Sequence, residues 1–136
     1  MRDFDFCGEH SIVEDIKTKY GYEGPLLKIF AENKGLLVQK WHHYIPIYDK
    51  YFTAFRGSKI RFLEIGVSDG GSLQMWREYF GKQAVIFGID IDPKCTQFDG
   101  LSAQVRMGSQ SDRPEIFAVS DRGNGGCGHR ARRWEP

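Results

Sequence analysis

The residues able to do chemistry gather between Glu64 and Asp90. Glu64-Ile-Gly66-Val-Ser68-Asp69-Gly70-Gly71-Ser72 sets carboxylates and hydroxyls among three glycines. Glycine lets the main chain turn sharply and leaves room for a ligand against the backbone. Asp90 follows Gly66 at close to the ~20 residues that separate a nucleotide-binding turn from the acid that holds its ribose. Placed there, a carboxylate accepts hydrogen bonds from two vicinal hydroxyls. A dinucleotide turn reads Gly-x-Gly-x-x-Gly and seats pyrophosphate on a helix N-terminus. This stretch does not match that pattern, and its acids oppose such a ligand: like charges ~4 Å apart repel by several kcal/mol at an effective dielectric of about 20. Acids at both ends of the turn suit a cationic ligand carrying an ammonium and a sulfonium. S-adenosylmethionine is such a ligand.

Elements of matching type surround these residues. Ile60 to Ile65 is short, apolar and bounded by the glycine turn, which predicts a buried strand. Ser72 is an N-cap candidate, and Leu73, Trp76 and Phe80 follow at helical spacing. Val85 to Ile89 predicts a second buried strand that delivers Asp90. Strand, glycine turn, helix, strand and acid form the βαβ unit of a nucleotide-binding half-fold. Glu64, Gly66, Ser68, Gly70, Gly71, Ser72 and Asp90 are therefore the expected cofactor-binding set, with Glu64 and Gly66 at the methionine end and Asp90 at the ribose. Gln104 onward predicts a third strand with a turn after Gly108. Ser109, Gln110 and Asp112 would then either contact the adenine or form a solvated polar loop.

Upstream, Ile12, Val13 and Ile16 share one side of a short helix that Gly21, Gly24 and Pro25 interrupt, and Leu26 to Ala31 is a second helical candidate. Trp41, Tyr44, Ile45, Tyr48 and Phe52 fall at helical spacing, with Pro46 acceptable in a first turn. Such a helix packs aromatics against the sheet, or it brings His42, His43 or Tyr44 to the mouth of the cofactor cleft. Neither histidine is assigned a catalytic role.

The run Phe62-Leu-Glu-Ile-Gly-Val-Ser-Asp-Gly-Gly-Ser-Leu-Gln-Met-Trp-Arg, with Gly88-Ile-Asp-Ile-Asp-Pro, resembles the class I S-adenosylmethionine-dependent methyltransferases. Within them it is most like the macrolide and antibiotic-sugar O-methyltransferases of the mycinamicin, macrocin and rhamnosyl-tetracenomycin type. The likeness runs over residues 40–112. It implies a Rossmann-like doubly wound parallel α/β sheet and methyl transfer from S-adenosylmethionine to a hydroxyl of a glycosylated natural product. It also implies a small-molecule partner rather than nucleic acid or a membrane.

Composition agrees with this and sets a limit. The chain has 136 residues, a formal net charge of +1 and 40% hydrophobic residues. These values describe one globular domain without a dominant charge to draw a polyanion. No apolar run approaches the ~20 residues of a membrane-spanning helix, and the N-terminus lacks a signal-peptide pattern. Cys7, Cys95 and Cys127 are odd in number and lack Cys-x-x-Cys spacing, which suits reduced thiols in a cytoplasm over disulfides or a zinc site. The expected organisation is a helical segment over 1–58, a cofactor-binding part over 59–112 and a tail over 113–136. A complete doubly wound sheet needs more strands than the three this length accommodates, so the fold is expected to be incomplete, with an open edge on the third strand.

The tail departs from the pattern. Asp121 to Pro136 is rich in glycine and arginine and has no hydrophobic period, so at face value it is a disordered basic tail. Back-translating Asn124 to Pro136 with allowed codons and shifting by one nucleotide permits Met-Gly-Gly-Val-Asp-Ile-Val-Leu-Asp-Asp-Gly-Ser, with a His or Gln codon begun. Trp134 and Glu135 force the last glycine, and Glu135 with Pro136 forces Ser or Asn. The shifted text resembles the fourth-strand motif of the same O-methyltransferases. There the second Asp of Asp-Asp-Gly-Ser-His is a magnesium ligand and the His is the general base. The expectation is a frame-shifted, truncated relative with the slip near Ser111 to Arg113, lacking the magnesium ligands and base, so that no catalytic or metal-ligating residue is assigned. Two alternatives are a fragment of an NAD-dependent oxidoreductase and a non-catalytic binding protein with a basic tail.

Overall fold

The computed structural model describes residues 11–109. Gln110, Asp112 and the tail over 113–136 lie outside the described residues, as do residues 1–10 with Cys7. Three short helices come first. α1, Ile12–Tyr20, is capped by Ser11, whose Oγ accepts the Val13 amide at 3.3 Å, and it ends on Gly21 in the left-handed conformation (φ 62°). α2, Pro25–Ala31, opens on proline, whose missing N–H costs nothing in a first turn, and buries Leu26, Leu27 and Phe30. α3 spans Tyr44–Phe52. Then follow β1 (Arg61–Ile65), α4 (Gly71–Phe80), β2 (Val85–Asp90), a 3-10 turn (Pro93–Phe98) and β3 (Gln104–Met107).

The three strands form a parallel sheet in the order β1-β2-β3, with Ile65 opposite Ile89 and Gly88 opposite Val105. β1, α4 and β2 are the expected βαβ unit, so the sheet is a Rossmann-like α/β arrangement, incomplete among the described residues. The core lies between one face of this sheet and the helices. Phe62, Ile86 and Val105 meet Leu73, Trp76 and Phe80 of α4, and α2 and α3 close over them. Aromatic edges do much of the filling: the Phe62 and Trp76 rings are 5.0 Å apart, and Phe52 of α3 stands edge-on to both at 5.7 Å. Gly88 lets α4 approach the sheet, because a Cβ there would lie 2.6 Å from Val67 Cγ2 and 3.2 Å from Leu73 Cδ1. Arg77 ties α4 to the ends of the strands, donating to the carbonyls of Ser102, Gly81 and Ala84.

Three sequence expectations need correction. Ser72 does not cap α4. Gly70 holds the cap position in a left-handed conformation (φ 75°), which a side chain would strain, so the helix starts earlier and Ser72 falls in its first turn. Strand β1 is not buried on both faces, whereas β2 buries Ile86, Gly88 and Ile89 as expected. Phe62 and Glu64 point toward the helices, while Leu63 and Ile65 on the other side are 43% and 54% exposed, because the described helices pack on one face only. Trp41 is not part of the aromatic helix. Pro46 has no N–H to give and fits only a first turn, so α3 begins at Tyr44 and Trp41 stays outside, 73% exposed. The open edge expected on the third strand is matched by one on β1, since both are edges of the sheet among the described residues. In a doubly wound sheet of order 3-2-1-4-5-6 the fourth strand pairs with the first.

Candidate functional site

The carboxyl ends of β1 and β2 lie side by side, and the glycine turn leaves the sheet between them. Gly66 begins that turn at φ 91° and donates its N–H to Ile89 O at 2.8 Å. Ser68 follows at φ 49°, a left-handed conformation that costs a non-glycine residue about 1–2 kcal/mol. What compensates is Asp90. Its Oδ2 accepts the amides of Val67 at 2.7 Å and Ser68 at 2.9 Å, and its Oδ1 accepts the Asp92 amide at 2.9 Å. These amides, first Asp92 and then Ser68, hold the Asp90 carboxyl below the usual carboxylate range against the opposing effect of burial. Asp90 thus fixes the shape of the turn.

Glu64 sits one strand away, with its side chain only 10% exposed. Ser72 donates its hydroxyl to Glu64 Oε2 at 2.7 Å, which is what its place in the first turn of α4 allows. Lys40 Nζ lies 2.9 Å from Glu64 Oε1. Gly71, counted among the ligand-facing glycines, has another neighbour: a Cβ there would lie 2.2 Å from Leu37 O and 2.5 Å from Leu36 O, so the main chain of 36–37 occupies the space its missing side chain leaves. Leu36 is held in turn by Gln74 of α4, whose Oε1 accepts its amide at 3.2 Å.

A cleft of about 130 Å³ lies over the turn, between Gly66, Ser68, Asp69 and Ser72 on one side and Leu37 and Lys40 on the other. A larger cavity of about 880 Å³ adjoins it, and Gln39 and Lys40 line both. Its other walls include Asp15, Trp41, His42 and His43. His42 Nδ1 lies 2.6 Å from Asp15 Oδ2. Lys19, and then His42, hold the Asp15 carboxyl below the usual range through hydrogen bonds. His43 packs its ring on Tyr44 at 4.4 Å.

The structure therefore brings Glu64, Gly66, Ser68, Gly70, Gly71, Ser72 and Asp90 together around one turn. Ser109 follows β3 beside them, since Gly108 donates its amide to Asp90 O at 2.8 Å; Gln110 lies outside the described residues. The site also contains residues that sequence alone did not find, Lys40 against Glu64 and Asp15 against His42. Neither pair has a periodic or motif signal, since each joins an N-terminal segment to a partner far along the chain. Among the described residues, no group of three or more His, Cys, Asp or Glu is placed to hold a metal ion. No helix among them is long and apolar enough to cross a membrane.

No protein-family model matches the chain. Comparison with curated proteins finds relatives of one kind. The chain is 39% identical over 88 residues to an 8-demethyl-8-(2-methoxy-alpha-L-rhamnosyl)-tetracenomycin-C 3'-O-methyltransferase of Streptomyces olivaceus, covering 60% of the chain and 22% of the relative. It is 38% identical over 68 residues to a demethylmacrocin O-methyltransferase of Streptomyces fradiae, covering 43% and 17%. A mycinamicin VI 2''-O-methyltransferase of Micromonospora griseorubida is 37% identical over 88 residues, covering 60% and 22%. The chain thus spans about a fifth of the length of the curated relatives it matches. Over the residues these matches cover, the chain is a sequence relative of the antibiotic-sugar O-methyltransferases.

Proposed function

We propose that the chain is the S-adenosylmethionine-binding part of an O-methyltransferase that acts on a sugar hydroxyl of a glycosylated natural product. One observation carries this: two carboxylates, Glu64 and Asp90, stand at the carboxyl ends of adjacent parallel strands with the glycine turn between them. Doubly wound sheets take nucleotide-type ligands outside the carboxyl ends of their strands, where these two acids stand. The names of the relatives support methyl transfer and a small-molecule acceptor. The donor set fits the cofactor. Glu64 supplies a nearly buried negative charge for its ammonium, and Asp90 stands at the strand end where a ribose acid is expected. Gly66, Ser68, Gly70, Gly71 and Ser72 shape the floor, and Ser109 with Gln110 would border the adenine. When bound, the cofactor supplies a sulfonium-activated methyl group to an acceptor oxygen.

The magnesium ligands that the resemblance implies lie in the shifted reading of the tail, beyond the described residues. In this reading residues 1–58 are a helical preface, 59–112 the cofactor-binding part and 113–136 a frame-shifted tail whose correction would restore a metal-and-base motif. A cytoplasmic setting suits the chemistry, and the free, buried thiol of Cys95 fits a reducing compartment. Isothermal titration with S-adenosylhomocysteine and with NAD tests the proposal. Binding of the first alone is expected. Binding of NAD in its place would overturn the assignment and favour an oxidoreductase fragment.

A further inference from the structure

The cationic end of the proposed ligand has a place to go only if something leaves it. Glu64, nearly buried, already holds an ammonium, that of Lys40 at 2.9 Å. Lys40 is itself only 19% exposed and stands in the wall between the cleft over the turn and the larger cavity. The cleft is about 130 Å³, whereas sites for ligands of drug size run to roughly 300–1,000 Å³. The cleft alone is smaller than a nucleoside bearing an amino-acid side chain requires.

We propose that Lys40 is a binding residue that changes partner. Without ligand it neutralises Glu64. When ligand enters, the amino-acid ammonium takes Glu64 Oε1, and Lys40 turns to the adjoining carboxylate of the same amino acid. This rests on the cofactor reading given above and adds to it a residue and a ligand group. Electrostatics favours exchange over simple displacement. An α-amino acid carries both charges on neighbouring atoms, so the swap leaves every buried charge with an opposite partner. Expelling Lys40 without a new partner would leave a desolvated ammonium unpaired, which is expensive. Lys40 lines both the cleft and the adjoining cavity, so its movement reshapes the wall they share.

Three ligands separate the charges: S-adenosylhomocysteine has both, its decarboxylated analogue 5'-(3-aminopropyl)thioadenosine has only the ammonium, and 5'-methylthioadenosine has neither. Each is titrated by calorimetry into the full chain, into Lys40→Met and into Lys40→Gln. The glutamine variant keeps a hydrogen-bond donor for Glu64 should the methionine variant not fold. Losing a charge-assisted pair is expected to weaken S-adenosylhomocysteine by about tenfold or more in both variants. The ammonium-only analogue is expected to bind more tightly in them, since it no longer competes with Lys40, and methylthioadenosine is expected to be unchanged. Equal tightening of S-adenosylhomocysteine and the ammonium-only analogue would overturn the proposal, because Lys40 would then be a competitor and nothing more. Binding of all three without dependence on residue 40 would overturn it while leaving the cofactor reading intact. Failure of all three to bind the unaltered chain would overturn both.

Discussion

A carboxylate offers about four acceptor positions, and at Asp90 three of them face the amides of Val67, Ser68 and Asp92. Position in the sequence marked this residue as a ribose acid, and the geometry gives it a second duty, holding the strained Ser68 in place. Substitution should therefore affect folding before it affects any ligand. Asp90→Asn keeps the size but replaces one acceptor oxygen with a donor, so at least one amide loses its partner. Hydrogen bonds to a charged acceptor are worth roughly 1.5–3 kcal/mol each, and a loss of about that size is expected in urea denaturation at neutral pH. The pH dependence has a definite sign. Asp90 is held below its usual pKa in the folded chain. Its contribution is present in full above the unfolded carboxylate value of about 3.9 and is lost as pH falls through the lower folded value. Acid denaturation of the unaltered chain should therefore include a component that the Asn variant lacks. Parallel acid titrations of the two proteins would count against this account of the turn.

At the scale of elements, α4 and the segment before α3 are locked together across Gly71. Leu36 and Leu37 reach the helix start because no side chain stands there, and Lys40 follows three residues later with its ammonium on Glu64. In Gly71→Ala the new methyl group meets main-chain oxygens rather than a flexible side-chain end, so the segment must shift. Overpacking of this kind costs about 1–3 kcal/mol. Because Lys40 is carried by the same segment, the Lys40–Glu64 pair should loosen with it. Chemical denaturation reads the first effect, and the chemical shift of the Lys40 ammonium in NMR reads the second. Unchanged stability would mean that the 36–37 main chain does not rest on Gly71. Much of this region was legible from the sequence. Short apolar runs, a glycine turn and a 3.6-residue period place β1, α4 and β2, because each signal is local. Burial of the second sheet face was not, since it depends on which other elements are present. The Lys40 pair was not either, since spacing carries no signal between an N-terminal lysine and a strand-end glutamate.

On the scale of the whole molecule, the sheet has a helix-covered face and a face on which Leu63 and Ile65 are exposed, and β1 is an edge among the described residues. Parallel sheets in doubly wound folds are covered on both faces, and their first strand pairs with the fourth. A sequence that restores a fourth strand would pair with that edge, and the helices joined to it could cover the exposed face. The shifted reading of Asn124 to Pro136 permits a strand of that kind, followed by acids and a His or Gln codon begun. The expected outcome is that the chain as it stands does not methylate, while a version corrected by one nucleotide near Ser111 to Arg113 and continued through its downstream frame does. An unpaired strand edge beside exposed apolar residues also favours association between chains. The uncorrected protein should then self-associate in sedimentation experiments at concentrations where the corrected protein does so less. Both proteins are assayed with labelled S-adenosylmethionine and a panel of glycosylated polyketides. Methyl transfer by the uncorrected chain would sink the proposal, and so would a locus whose shifted frame closes soon after Pro136.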